Sequence, residues 1–138
     1  MKITLIGFKD NSVSIFSDLA KALSKKISGL EIEERYVPFP EDLPIVAFEA
    51  SEESDFMFVY ALLDDEDLVN FIKKKLIDVE IASETRILKV VEVDDFAGME
   101  EEEFLDKKEA LVLEYADLIV KILFNEEAFK PKEKDFSQ

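Results

Sequence analysis

The chain has 138 residues, with 33 Asp and Glu against 17 Lys and Arg, a formal charge of −16 that no histidine can soften because there is none. Cysteine is absent as well, which excludes Cys/His zinc sites, thiol nucleophiles, Ser-His-Asp triads and histidine acid–base catalysis. So negative a chain repels phosphates, so neither nucleic acid nor an anionic membrane surface is an expected partner, and 48% apolar residues over this length suit one core rather than two.

Lys2–Phe8 reads as a short apolar strand, followed by Asp10–Asn11–Ser12, a run of helix N-cap residues. Phe16, Leu19, Ala20, Leu23 and Ile27 then recur at three- and four-residue steps and predict an amphipathic helix, with Gly29 in the place of a C′ glycine. Leu30–Val37 mixes apolar and charged residues and reads as a strand towards the sheet edge. Val37–Pro38–Phe39–Pro40 is a stiff link. Asp42 is placed to cap a short helix carrying Leu43, Val46, Ala47 and Ala50, with Pro44 tolerated in its first turn.

Phe56–Leu63 is an uninterrupted apolar run, as expected of a strand buried on both faces. Asp64–Asp65–Glu66–Asp67 opens the next helix, whose first turn favours negative charge; its apolar positions are Leu68, Phe71, Ile72, Leu76 and Val79. Arg86–Val93 is the fourth strand. Glu100–Phe124 is a long helix with Phe104, Leu111, Tyr115, Leu118 and Ile122 on its predicted core face. Residues 1–129 form the expected single domain, and 130–138 a polar tail expected to fray.

Strands alternating with helices imply right-handed crossovers and a parallel sheet covered on both sides. The two most apolar strands belong at the centre, which gives spatial order 2-1-3-4, a flavodoxin-like three-layer αβα sandwich. Ligands of such sheets lie outside the carboxyl ends of the strands at the switch point. The candidate ligand-binding residues are therefore Phe8, Lys9, Asp10, Asn11, Phe39, Glu41, Asp42, Leu63 and Asp64. No catalytic residue is assigned, and no metal ligand or cofactor. Asp10, Asp64, Asp65, Asp94 and Asp95 also gather at this edge, the makings of a receiver-like Mg²⁺ domain, although Asp is common in such turns because it caps helices. No glycine-rich phosphate loop is present: the glycines at 7, 29 and 98 are isolated.

Val37–Pro38–Phe39–Pro40–Glu41–Asp42–Leu43–Pro44 resembles the Val-Pro-Gly-Ala-Phe-Glu-Leu-Pro signature of lumazine synthases and the Val-Pro-Gly-x-x-Asp-Leu-Pro of archaeal riboflavin synthases. Val37, Pro38, Asp42, Leu43 and Pro44 match in register, and Phe39 replaces the glycine. The first strand, its helix and Val13 align with the archaeal enzymes without a gap. Lys89–Val90 through Asp94–Asp95, the acidic linker and the long helix ending Lys121–Ile122–Leu123–Phe124 are similar to their counterparts too, so the resemblance covers most of the chain. It implies the fold derived above, a cytoplasmic protein of the riboflavin pathway, a lumazine or flavin-like ligand with its ring between Phe8 and Phe39, and a homo-oligomer, pentameric in the family.

The departures matter as much. The family's third strand leads into a glycine-containing substrate loop and a histidine, whereas here Tyr60–Leu63 meets Asp64–Asp67 directly. Ser12 stands at the arginine position of the first loop. An acidic turn disfavours a phosphorylated ligand. The resemblance thus leaves activity open: an active chain would be a transferase of riboflavin-synthase type, dismutating lumazines. The alternative is an inactive homologue serving as an assembly or interaction subunit. Phe104, Leu105, Leu113 and Phe129, along and beyond the long helix, are the apolar surplus that suggests self-association.

Overall fold

The run Phe56–Leu63 forms β3, and every one of its side chains is buried. A continuous apolar strand still has a period of two. Phe56, Phe58, Tyr60 and Leu62 enter the core on one side of the sheet, and Met57, Val59, Ala61 and Leu63 the core on the other. The structure is a computed structural model and describes residues 1–124. Phe129 and the expected tail 130–138 lie outside the described residues.

The described residues fold in the order β1 (Lys2–Phe8), α1 (Phe16–Lys26), β2 (Glu31–Val37), a 3-10 turn (Pro40–Asp42), α2 (Leu43–Ser51), β3, α3 (Glu66–Ser83), β4 (Ile87–Val93) and α4 (Glu101–Phe124). The four strands are parallel and ordered β2-β1-β3-β4. This is the three-layer flavodoxin-like arrangement that the strand polarity predicts. β2 lies at the edge, with Glu31, Glu34 and Tyr36 exposed. Helices α1 and α4 cover one face of the sheet, while α2 and α3 cover the other.

The α1–α4 side is an aromatic layer. Phe58 and Tyr60 lie parallel at 6.2 Å, and Phe16 packs edge-on against both at 6.1 and 6.4 Å. Phe16 reaches the sheet because Gly7 has no side chain: a Cβ at Gly7 would lie 2.8 Å from the Phe16 Cε2. Gly7→Ala is therefore expected to cost about 1–3 kcal/mol, the usual price of overpacking a core. Urea denaturation reads this directly, and an unchanged midpoint would show that Phe16 yields without loss.

Four local readings need correction. α1 starts at Phe16, not at Asp10–Ser12, and Ile15 at its N-cap makes no side-chain capping bond. Val13 and Ile15 are both buried, so the chain first crosses the core as a loop. Asp42 does not cap α2 either: it is already helical, at φ −80° and ψ −13°, because the 3-10 turn runs straight into the helix. On α4 Val112, Tyr115, Ala116 and Ile119 are buried, and Phe104, Leu111 and Ile122 pack partly buried against the same core, so of the predicted face Leu118 alone, 38% exposed, falls outside it. Phe71, a predicted core position of α3, is 51% exposed. The acidic opening of α3 behaves as expected, since Asp65 accepts hydrogen bonds from the backbone N–H groups of Asp67 (2.9 Å) and Leu68 (3.5 Å).

Candidate ligand-binding site

The parallel sheet brings the loops after β1 and β2 together at its carboxyl edge. The Lys9 N–H donates to the Val37 carbonyl (2.8 Å), and the Asn11 N–H closes a tight turn on the Phe8 carbonyl (3.1 Å). Phe39 stands between two prolines in extended conformation, at φ −127° and ψ 137°. The Asp42 N–H bonds back to the Phe39 carbonyl at 3.0 Å and fixes the 3-10 turn behind it. Val37 is buried and anchors this link, whereas Phe39 is 61% exposed. Lys9, Asp10, Glu41 and Asp64 are exposed around the same edge, and Asp42 and Phe8 are half-buried.

Two predicted residues are spent on the fold. Asn11 holds β3 with both ends of its amide: Nδ2 donates to the Tyr60 carbonyl (3.0 Å), and Oδ1 accepts from the Leu62 N–H (2.8 Å). Leu63 is only 5% exposed and packs into the α2–α3 core; what it offers the edge is a carbonyl, which accepts from the Asp94 N–H at 2.7 Å. Phe8 also packs against that core, so the aromatic rings this edge exposes are Phe39 and Tyr36.

Beside the first loop is a cavity of about 50 Å³ lined by Phe8, Lys9, Asn11, Ser14, Tyr36 and Tyr60, among others. That is room for a few waters, far below the roughly 300 Å³ or more of a pocket that encloses a small-molecule ligand. Tyr36 and Tyr60 are residues that sequence reasoning missed. Tyr36 is 53% exposed and donates from its hydroxyl to Glu34 (2.7 Å); partial burial first, then this carboxylate, push its pKa up to about 12. The Tyr60 hydroxyl is buried without a hydrogen-bond partner. Burial above all, then Tyr115 and the carboxylates of Glu92, Asp94 and Asp95, hold it neutral well above the usual tyrosine range.

Three of the five carboxylates that suggested a cation pocket have separate roles, while Asp10 and Asp64 are exposed. Asp65 caps α3, Asp94 accepts from the Phe96 N–H (2.9 Å), and Asp95 pairs with Lys107 (2.7 Å). Among the described residues no group of three or more acidic side chains is placed to hold a metal ion, and no helix is long and apolar enough to cross a membrane.

Also missed was an open apolar groove between α2 and α3, of about 520 Å³, lined by Ile45, Phe48 and Phe71 with Glu41, Glu49, Lys75 and Asp78 among the others. The signal was present in α2, whose nine residues Leu43–Ser51 are apolar on nearly every side; a helix of that kind buries two faces or exposes one. No protein-family model matches the chain, and no curated protein matches it.

Proposed function

We propose that the chain is a diverged member of the lumazine synthase and archaeal riboflavin synthase group, cytoplasmic and homo-oligomeric (a pentamer by the resemblance). In this reading it binds a lumazine or flavin-like ring at the carboxyl ends of β1–β3. The observation that carries the reading is Phe39: an aromatic ring 61% exposed, clamped by Pro38 and Pro40 at the switch-point edge of a 2-1-3-4 sheet. The ring stacks on Phe39. Asp42, Glu41 and Lys9 reach its polar edge, and a neighbouring copy covers its outer face. If chemistry survives, it is the exchange of a four-carbon unit between two identical lumazines, where holding the two rings together supplies much of the rate.

Calorimetry with riboflavin and with its 5′-phosphate tests this. Riboflavin is expected to bind more tightly than the ester, because Asp64 and Glu41 repel a phosphate. Phe39→Ala is expected to weaken the binding by about 1–3 kcal/mol, the worth of one aromatic stack. Tighter binding of the ester would displace the ligand from the acidic edge. Equal binding by the Phe39→Ala protein would remove the ring from Phe39.

The second reading, an assembly or interaction subunit without a ring ligand, is favoured by the small size of the cavity beside the first loop and by the exposed apolar groove. A protein that neither carries colour nor quenches riboflavin fluorescence decides for it.

A further inference from the structure

The cavity beside the first loop is lined by a residue whose polar end has no partner. Tyr60 is 2% exposed, and its hydroxyl is buried without a hydrogen bond. Buried polar side chains are nearly always paired, because an unpaired one carries its full desolvation cost. The other polar groups on the lining are engaged or stand on the solvent side. The Asn11 amide is bonded to β3 at both ends, and the Tyr36 hydroxyl donates to Glu34. Lys9 and Ser14 are exposed and mark the mouth. Val13, Ile15 and Phe16 are buried and make the rest of the wall apolar.

Water alone suits such a wall poorly. An ordered buried water makes about three hydrogen bonds, and beyond Tyr60 the inner wall offers it apolar carbon. A molecule with one acceptor oxygen and an apolar body meets both halves of the lining. Its oxygen accepts from Tyr60, and its body lies against Val13, Ile15 and Phe16. Charge selects within that class. Burial first, then Tyr115, then the carboxylates of Glu92, Asp94 and Asp95 keep the Tyr60 hydroxyl neutral and therefore a donor. The same carboxylates disfavour an anionic acceptor, while the charge of Lys9 at the mouth is screened by solvent. Size selects too: about 50 Å³ takes a carbonyl and a few neighbouring atoms rather than a whole ring system.

We infer that this cavity binds a small neutral carbonyl compound, of amide or lactam type, with the Tyr60 hydroxyl as the donor to its oxygen. The inference does not rest on the ring-binding reading, because Phe39 is not part of the cavity wall.

Acetamide and acetate are the probes, since they have nearly the same shape and differ in charge. The readout is the Asn11 side-chain amide signal of the ¹⁵N-labelled full chain, a group on the cavity wall. Acetamide is expected to shift it saturably, with a dissociation constant on the order of 10 mM, within reach of so few atoms. Acetate is expected to bind roughly tenfold more weakly or worse. Tyr60→Phe is expected to weaken acetamide binding roughly tenfold or more, and to leave the thermal midpoint unchanged or higher, because it removes only an oxygen without a partner. Ser14→Phe, at an exposed position whose change leaves the core intact, narrows the mouth and is expected to weaken binding as well. The absence of a saturable shift means that the cavity holds water only and overturns the inference. Acetate binding as tightly as acetamide overturns it, as does acetamide binding that neither variant weakens. A Tyr60→Phe midpoint that falls by several degrees also overturns it, by giving the hydroxyl a structural partner.

Discussion

Val59→Asp is expected to leave the chain unfolded. Val59 is fully buried near the middle of β3, with Ile6 of β1 and Lys89 of β4 as its register partners. Its side chain belongs to the core shared with α2 and α3. Burying a valine is worth about 1.5–3 kcal/mol, which the change forfeits. A carboxylate placed there loses its water as well, at several kcal/mol even after relaxation. The nearest rescue is Lys89, but its ammonium is already held by Glu80 at 2.6 Å, and the other oxygen of Glu80 accepts from the Ile87 N–H at 2.8 Å. Drawing Lys89 away would strip Glu80 of its cation. The sum rivals the roughly 5–15 kcal/mol that holds a whole domain folded. Val59→Ala, which removes two methyl groups and adds no charge, is the control and stays folded with a lower midpoint. A dispersed amide spectrum of V59D at neutral pH would show that β3 is not the buried centre.

The features legible in the sequence were those set by long-range burial. An eight-residue apolar run cannot be solvated on either side, so Phe56–Leu63 had to be central, and the charged Glu31–Val37 had to be at an edge. Strand order followed from these two facts. The misread features were local polar choices with more than one outlet. Asp10, Asn11 and Ser12 form a good capping run, yet Val13 and Ile15 beyond them need burial, and that need delays the helix to Phe16. Asp42 precedes a helix, but Pro40 starts a 3-10 turn first and removes the extended geometry that a capping side chain requires. At the site, the pattern placed Phe39 at the carboxyl edge of the sheet, where it is 61% exposed. Leu63 ends the run expected to be buried on both faces, and it is buried in the α2–α3 core, which leaves only its carbonyl to the edge. The α2–α3 groove was half-legible: α2 is apolar on nearly every side, but Phe71 sits at core spacing on α3 and is nonetheless 51% exposed.

Asn11→Ala is expected to lower stability by about 2–3 kcal/mol, roughly 6–12 °C in midpoint for a chain of this size. β1 pairs with β3 as far as Gly7 opposite Tyr60, and β1 itself ends at Phe8. The Tyr60 carbonyl and the Leu62 N–H are thus left at the end of the ladder. The Asn11 amide takes the place of a peptide group there, donating to the carbonyl at 3.0 Å and accepting from the N–H at 2.8 Å. Alanine removes both bonds and leaves two part-buried backbone groups to find water beneath the 11–15 loop. Asn11→Asp is the sharper probe. It keeps the acceptor for Leu62, but at neutral pH it sets a carboxylate oxygen against the Tyr60 carbonyl, where a donor is required. Protonation restores a donor, so folding raises the pKa of this carboxyl above its unfolded value near 4. The penalty of N11D is therefore greatest at neutral pH and shrinks as pH falls through that raised pKa. A ligand role makes the opposite forecast: Asn11→Ala would change riboflavin binding and leave the melting midpoint in place. Measuring both on the same variant decides whether Asn11 serves the sheet or the site.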